Sequence, residues 1–170
     1  MKKIFFIGFM GTGKTTIGKL VSDKLNLDFI DTDSLIEERL NMPISNIFEE
    51  WGEEYFRKLE HDVICKIIKS TEGTVIATGG GTPLYHGNLQ LMKNNGLVIG
   101  LNTSPKELWR RLQDCQERPL LKQYNTYKKF CKLYRNRSNI YAQAHITIKT
   151  DGKSLEEIVK EVISYVFKFF

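Results

Sequence analysis

Short apolar runs alternate along this chain with stretches of helical spacing. Residues 3–7 are mostly β-branched and aromatic, lead into a glycine-rich turn, and read as a buried strand. Residues 15–25 repeat apolar side chains at Ile17, Leu20, Val21 and Leu25, the spacing of one helix face. Phe29 and Ile30 predict a second strand ending at Asp31, residues 35–40 start a helix, and residues 47–70 are mostly helical. Residues 75–77 predict a third strand, closed by Gly79, Gly80 and Gly81; residues 97–101 predict a fourth and 145–149 a fifth. Ser104, Pro105 and Glu107 mark a helix start with a capping box, and Ser154 with Glu157 marks another. Behind the second, Leu155, Ile158, Val159, Val162, Ile163, Val166, Phe167 and Phe170 make one apolar face.

Strands alternating with helices predict an α/β layered fold with a mostly parallel sheet, and each gap is long enough for a helical crossover. There is no internal repeat, low-complexity tract or linker, so residues 1–170 are expected to form a single domain. A chain of 170 residues buries roughly 70% of its unfolded surface and needs neither disulfide nor structural metal to hold a core. Residues 114–129 are polar and basic without periodicity and are expected to form a mobile loop.

Composition narrows the classes. At 41% hydrophobic and 26% charged residues the chain is globular rather than disordered. Lys plus Arg number 25 against 20 Asp plus Glu, a net charge of +5 that suits a nucleic acid or a small polyanion such as a nucleotide. Cys65, Cys115 and Cys131 are odd in number and lack a C-x-x-C pair, which argues against a disulfide framework or zinc site and for a reducing cytoplasm. The apolar start is broken by glycines and Lys14 with no cleavage site behind it, and no segment reaches the ~20 apolar residues of a membrane span. A soluble protein that is not exported is expected.

Gly8-Phe9-Met10-Gly11-Thr12-Gly13-Lys14-Thr15 matches the phosphate-binding pattern G-x-x-x-x-G-K-[ST], after a strand and before a helix. Its glycines let backbone N–H groups converge on phosphate oxygens, and the helix N-terminus favours anions. Lys14 is expected to reach the β- and γ-phosphates, and the Thr15 hydroxyl to coordinate Mg²⁺.

Four further clusters are ambiguous singly. Asp31-Thr32-Asp33 closes the second strand, where ligands of open parallel sheets bind; one acid suits Mg²⁺ and the other an acceptor hydroxyl, or Asp33 caps the next helix. Arg57 and Glu60 share a helix face as a surface ion pair or as an arginine held by an acid and aimed at a substrate carboxylate. Gly79, Gly80 and Gly81 signal either a close approach to the backbone or a flexible turn. Arg118, before Pro119, lies in the loop without periodicity, where an arginine could close over phosphates, and Arg137 precedes Tyr141 on an expected helix.

Together, in this order and spacing, these motifs resemble shikimate kinase over essentially the whole chain; the P-loop is shared by many families, the later motifs by few. The resemblance implies a three-layer, nucleoside-monophosphate-kinase-like P-loop fold with a five-stranded parallel sheet. It also implies a helical substrate-binding segment at about 32–60 and a mobile lid at about 113–127. The implied reaction is ATP-dependent phosphorylation of the 3-hydroxyl of shikimate to shikimate 3-phosphate and ADP, in the pathway to chorismate and aromatic amino acids. A cytoplasmic monomer is implied, with ATP and Mg²⁺, shikimate as partner, and no nucleic acid or membrane. By resemblance Gly11, Thr12, Gly13, Lys14, Thr15 and Thr16 cradle ATP, and Thr15 and Asp31 hold the Mg²⁺ shell. Asp33 binds shikimate hydroxyls as base or orienting group, Arg57 and Arg137 grip its carboxylate, and Gly79, Gly80 and Gly81 contact it through backbone. Glu60 orients Arg57, Arg118 is the lid arginine on ATP, and Arg111 lies against the adenine. Lys14, Asp33 and Arg118 are the catalytic set.

The chain departs from the family at Asn139, where proline is frequent, and in its basic lid. Trp51 is expected in the core and Phe56 at the pocket edge. The competing readings are another small-molecule or nucleotide kinase of the same fold, such as a gluconate-type or nucleoside monophosphate kinase, and a degenerate kinase that senses ATP or shikimate. A nucleic-acid binder would use Tyr124, Tyr127, Phe130 and Tyr134 as a stacking platform among basic residues. A GTPase lacks support because no N-K-x-D guanine motif is present.

Overall fold

β1 (Lys3–Gly8) runs through the centre of the molecule, and every one of its residues is buried. Even Lys3 obeys this: its stem is covered while Nζ donates to the Ser70 carbonyl at 2.8 Å. The structure, a computed structural model, describes residues 2–70, 73–113 and 126–170. After β1 come α1 (Lys14–Leu25), β2 (Asp28–Asp31), α2 (Thr32–Leu40), α3 (Ile44–Lys69) and β3 (Thr74–Ala77). A 3₁₀ turn (Thr82–Leu84), α4 (Asn88–Asn95), β4 (Leu97–Asn102), α5 (Pro105–Gln113), α6 (Tyr127–Tyr141), β5 (Ile146–Lys149) and α7 (Leu155–Phe169) follow.

The five strands are parallel in the order β2-β3-β1-β4-β5. Alternation along β1 sends Phe5 and Ile7 into one core and Ile4 and Phe6 into the other. The first core is closed by α2 to α6, the second by α1 and α7, giving three layers. Phe130 of α6 anchors the first core, fully buried and edge-on to Phe9 at 5.4 Å between ring centres. Cutting such a ring back to alanine costs about 3–5 kcal/mol. This placement also removes Phe130 from any stacking platform for nucleic acid.

Register sets up the site. Phe6 of β1 and Asp31 of β2 both pair with Ala77 of β3, so the turns leaving these three strands open side by side at the carboxyl edge of the sheet.

Several local expectations are corrected. α2 begins at Thr32, because the Asp31 carboxylate caps it by accepting from Asp33 N at 3.0 Å and Ser34 N at 3.4 Å. α3 starts at Ile44 and is broken at Gly52 (φ 78°, ψ 174°), a conformation closed to most side chains. Trp51 precedes that break and stands exposed beside Tyr55 rather than in the core. The Ser104 box is half formed: Glu107 N donates to Ser104 Oγ, but Ser104 N–H is taken by Asp151 and the Glu107 carboxylate by Arg110 and Arg111. The Ser154–Glu157 box is complete. The buried stripe of α7 is narrower than its sequence suggests: Ile158, Val159, Val162 and Val166 are buried, while Leu155, Phe167 and Phe170 are exposed. Among the described residues no helix is long and apolar enough to cross a membrane.

Candidate active site

The loop between β1 and α1 wraps an anion seat. Gly13 precedes α1 with φ 91°, and no side chain caps the helix, so its first N–H groups point outward with the positive end of the helix dipole. Lys14 Nζ donates to the carbonyls of Gly8 and Phe9 at 2.9 and 3.0 Å, which lays the ammonium along the loop. Thr15 Oγ1 donates to Asp31 Oδ2 at 2.6 Å. A hydroxyl and a carboxylate oxygen therefore meet at the loop's edge, the hard oxygen donors that Mg²⁺ prefers.

A cavity of about 330 Å³ lies over this loop, walled by Gly13, Lys14, Thr15, Asp31 and Arg111. A second, of about 600 Å³, opens beside it and is walled by Asp33, Phe48, Phe56, Arg57 and Arg137. Met10, Asp33 and Gly80 belong to both, so the two spaces meet along these three residues. With Asp31 as the helix cap, Asp33 is relieved of that task and faces the cavities.

The larger cavity is built around a buried arginine. Arg57 is 4% exposed, and Glu60, one turn on, is 1% exposed. Arg57 Nη1 donates to Glu60 Oε2 at 2.7 Å, while Nε and Nη2 donate to Glu53 Oε1 at 3.1 and 2.8 Å. The Tyr85 ring lies 4.6 Å from the guanidinium carbon. This settles the surface-pair alternative for Arg57 and Glu60. An exposed pair contributes about 0–1 kcal/mol, whereas stripping one partner from a buried pair costs about 3–5 kcal/mol. Burial pulls the Arg57 guanidinium down, but the attraction of Glu60 and hydrogen bonds to Glu60 and Glu53 outweigh it and hold it above the ordinary arginine value. The Arg57 hydrogen bond keeps the Glu53 carboxyl below the usual carboxylate range.

Arg137, 9% exposed, enters the same cavity from α6. One turn on, the Tyr141 hydroxyl donates to the Gly80 carbonyl at 2.6 Å. Burial pushes the Tyr141 phenol up to about 12, so it remains a donor throughout the neutral range.

The glycine triplet is explained by space. None of the three has a positive φ. A Cβ at Gly79 would lie 2.5 Å from Asp33 Oδ1 and 2.7 Å from Glu60 Oε1, and one at Gly81 would lie 2.6 Å from Arg57 Cζ. The close approach inferred from sequence is thus made by the protein's own charged side chains. A Cβ at Gly80 would meet nothing nearer than 3.5 Å.

The structure brings together Gly11, Gly13, Lys14, Thr15, Thr16, Asp31 and Arg111 around the smaller cavity, and Arg57, Gly79, Gly81 and Arg137 around the larger. Thr12 turns inward instead, its buried hydroxyl donating to Phe9 O at 2.8 Å. Arg111 Nη1 reaches Gly11 O at 3.3 Å, which sets it over the phosphate loop. Arg118 and Cys115 lie outside the described residues, as does most of the 113–127 segment expected as a lid. Sequence reasoning gave no role to Glu53, Thr82, Tyr85 or Asn88. Thr82, Tyr85 and Asn88 meet partners on α3 that no local spacing reveals, whereas Glu53 stands one turn before Arg57 on the same helix, an i, i+4 spacing that was the available signal.

Comparison with known proteins adds the family. Residues 10–167 match the profile described as shikimate kinase. A shikimate kinase of Sulfurihydrogenibium sp. (strain YO3AOP1) is 45% identical over 166 residues, covering 98% of each chain. The structure of a shikimate kinase from Acinetobacter baumannii in complex with shikimate superposes with TM-score 0.91 at 31% identity, covering 99% of this chain and 94% of that one. A gluconokinase from Sinorhizobium meliloti 1021 aligns with TM-score 0.63 at 14% identity over 99% of this chain and 93% of its own, a likeness of fold alone.

Proposed function

The chain belongs to the shikimate kinase family and is an ATP-using enzyme of it, and from that premise we propose how its residues perform the reaction. Shikimate occupies the 600 Å³ cavity, with its carboxylate against Arg57 and Arg137 and its 3-hydroxyl toward Asp33. The phosphates of ATP lie over the P-loop, cradled by the N–H groups that open α1 and by Lys14. The observation that carries this reading is the meeting of the two cavities along residues that include Asp33, because acceptor and donor must approach at one point.

The acceptor oxygen forms a bond to the γ-phosphorus as the bond from that phosphorus to the β–γ bridging oxygen breaks. The electron pair leaves with ADP, and the hydroxyl proton passes to Asp33 or, late in the step, to water. Asp33 orients the hydroxyl in either case. Lys14 and the loop amides balance the charge that gathers on the transferring group. Thr15 and Asp31 would hold a Mg²⁺ ion, which would supply positive charge against the phosphates when bound. Arg57 arrives held by Glu60, so substrate binding does not have to order a free arginine. Arg111, held by Glu107 and by the Gly11 carbonyl beside the phosphate loop, is proposed to lie against the adenine. Arg118 is proposed as the lid arginine on sequence grounds, within one domain acting as a cytoplasmic monomer.

The test is ADP release from MgATP with shikimate as acceptor and with gluconate and AMP as controls. Turnover confined to shikimate is expected. Comparable turnover on either control would overturn the substrate assignment.

A further inference from the structure

Adjacent residues of α3 reach one turn by two routes. The Thr82 hydroxyl donates to Glu60 Oε1 at 2.5 Å. His61 Nδ1 lies 2.7 Å from Asn88 Oδ1, and Asn88 Nδ2 donates to the Thr82 carbonyl at 2.9 Å. Thr82 and Asn88 are completely buried, and Glu60 is nearly so. The chain also fixes a proton: Asn88 turns its amide nitrogen to the Thr82 carbonyl and its oxygen to His61, so the oxygen accepts and His61 Nδ1 carries the hydrogen.

We propose that Thr82 and Asn88 are positioning residues for the substrate carboxylate, bracketing the turn at Thr82–Leu84 to α3 and so aiming Arg57. This rests on the reading of Arg57 as the carboxylate clamp. Thr82 holds one oxygen of Glu60, which leaves the other directed at Arg57 Nη1 at 2.7 Å. Thr82 also follows Gly81, whose backbone forms the floor under the guanidinium. Asn88 and His61 hold the same turn by its backbone, so the floor under the arginine and the carboxylate beside it keep one register. A long arginine side chain loses considerable rotamer freedom on being fixed, and the bracket imposes that loss during folding rather than during substrate binding. Thr82, Asn88 and His61 do not line the cavity, so changing them removes no wall of it.

Thr82→Val preserves shape and removes only the hydroxyl. The shikimate KM is expected to rise about tenfold, the size of one lost hydrogen bond to a charged group, with the ATP KM within about twofold of wild type. Thr82→Ser returns the hydroxyl and is expected to restore the shikimate KM to within about threefold. His61→Phe cuts the outer arm and is expected to raise the shikimate KM alone, by about threefold. Circular dichroism and a thermal melt check each fold; should Thr82→Val not fold, His61→Phe, at a half-buried position, carries the test. A folded variant with an unchanged shikimate KM, or one in which both KM values rise together, overturns the bracket. Wild type run beside them separates the two ideas: no turnover of shikimate by wild type refutes the substrate reading, whereas an active wild type with a flat variant response refutes the bracket alone.

Discussion

The Arg57 guanidinium lies so close over Gly81 that a β-carbon there would stand 2.6 Å from Cζ. Gly81 has φ −88° and ψ −22°, a conformation any residue can adopt, so the requirement is for space. Because Glu60, Glu53 and the Tyr85 ring hold Arg57 from the other sides, it cannot yield cheaply. Gly81→Ala is therefore expected to raise the shikimate KM at least tenfold with little change for ATP. Gly79→Ala, which would strike Asp33 and Glu60, is expected to lower kcat as well. Gly80→Ala, with 3.5 Å of clearance, is expected to be the mildest of the three. Steady-state kinetics of the three variants checks this, and equal damage from all three would return the triplet to a flexible turn.

The parts legible in the sequence are those whose cause is local. The P-loop is an eight-residue pattern between a strand and a helix, and β1 announces itself by a run of apolar residues buried on both faces. The Ser154–Glu157 box needs only a spacing of three. What was not legible depends on which of several competing partners or backbone conformations wins. Asp31 and Asp33 are the same residue type two positions apart, and only the pairing of Asp31 with Thr15 and with the α2 amides separates their tasks. Glu107 was free to complete a cap by spacing, but two arginines one turn away compete for it and Asp151 takes the other half. Trp51 would be apolar core in an unbroken helix, and the left-handed backbone at Gly52 turns that prediction aside.

Glu53 gives a pH-dependent stability whose sign follows from its environment. The hydrogen bond from Arg57 lowers its carboxyl from the ordinary 4.5. A group depressed in the folded state contributes stability that is present above the unfolded value and is lost as pH falls through the folded one. With the side chain 54% exposed, the pair is worth at most about 0.5 kcal/mol. Glu53→Gln is accordingly expected to melt about 1–2 °C below wild type at pH 7. The gap should close below pH 4.5, where the wild-type carboxyl begins to protonate. Melting temperatures of both proteins from pH 8 to pH 3 would show this, and a gap that widens in acid would contradict the assignment.

Asp31 carries two tasks that substitution can separate. One oxygen caps α2 and the other meets the Thr15 hydroxyl. Asparagine caps a helix about as well as aspartate, so Asp31→Asn is expected to leave the melting temperature within about 2 °C of wild type. It nevertheless removes the negative charge proposed to hold Mg²⁺, and the free Mg²⁺ concentration giving half-maximal rate is expected to rise about tenfold at fixed ATP. Asp31→Ala removes both functions and is expected to lose a further ~1 kcal/mol of stability. The pair of variants distinguishes a metal role from a purely structural one. If Asp31→Asn keeps the wild-type Mg²⁺ dependence while Asp31→Ala is unstable, Asp31 is a cap alone and Thr15 meets the ion without it.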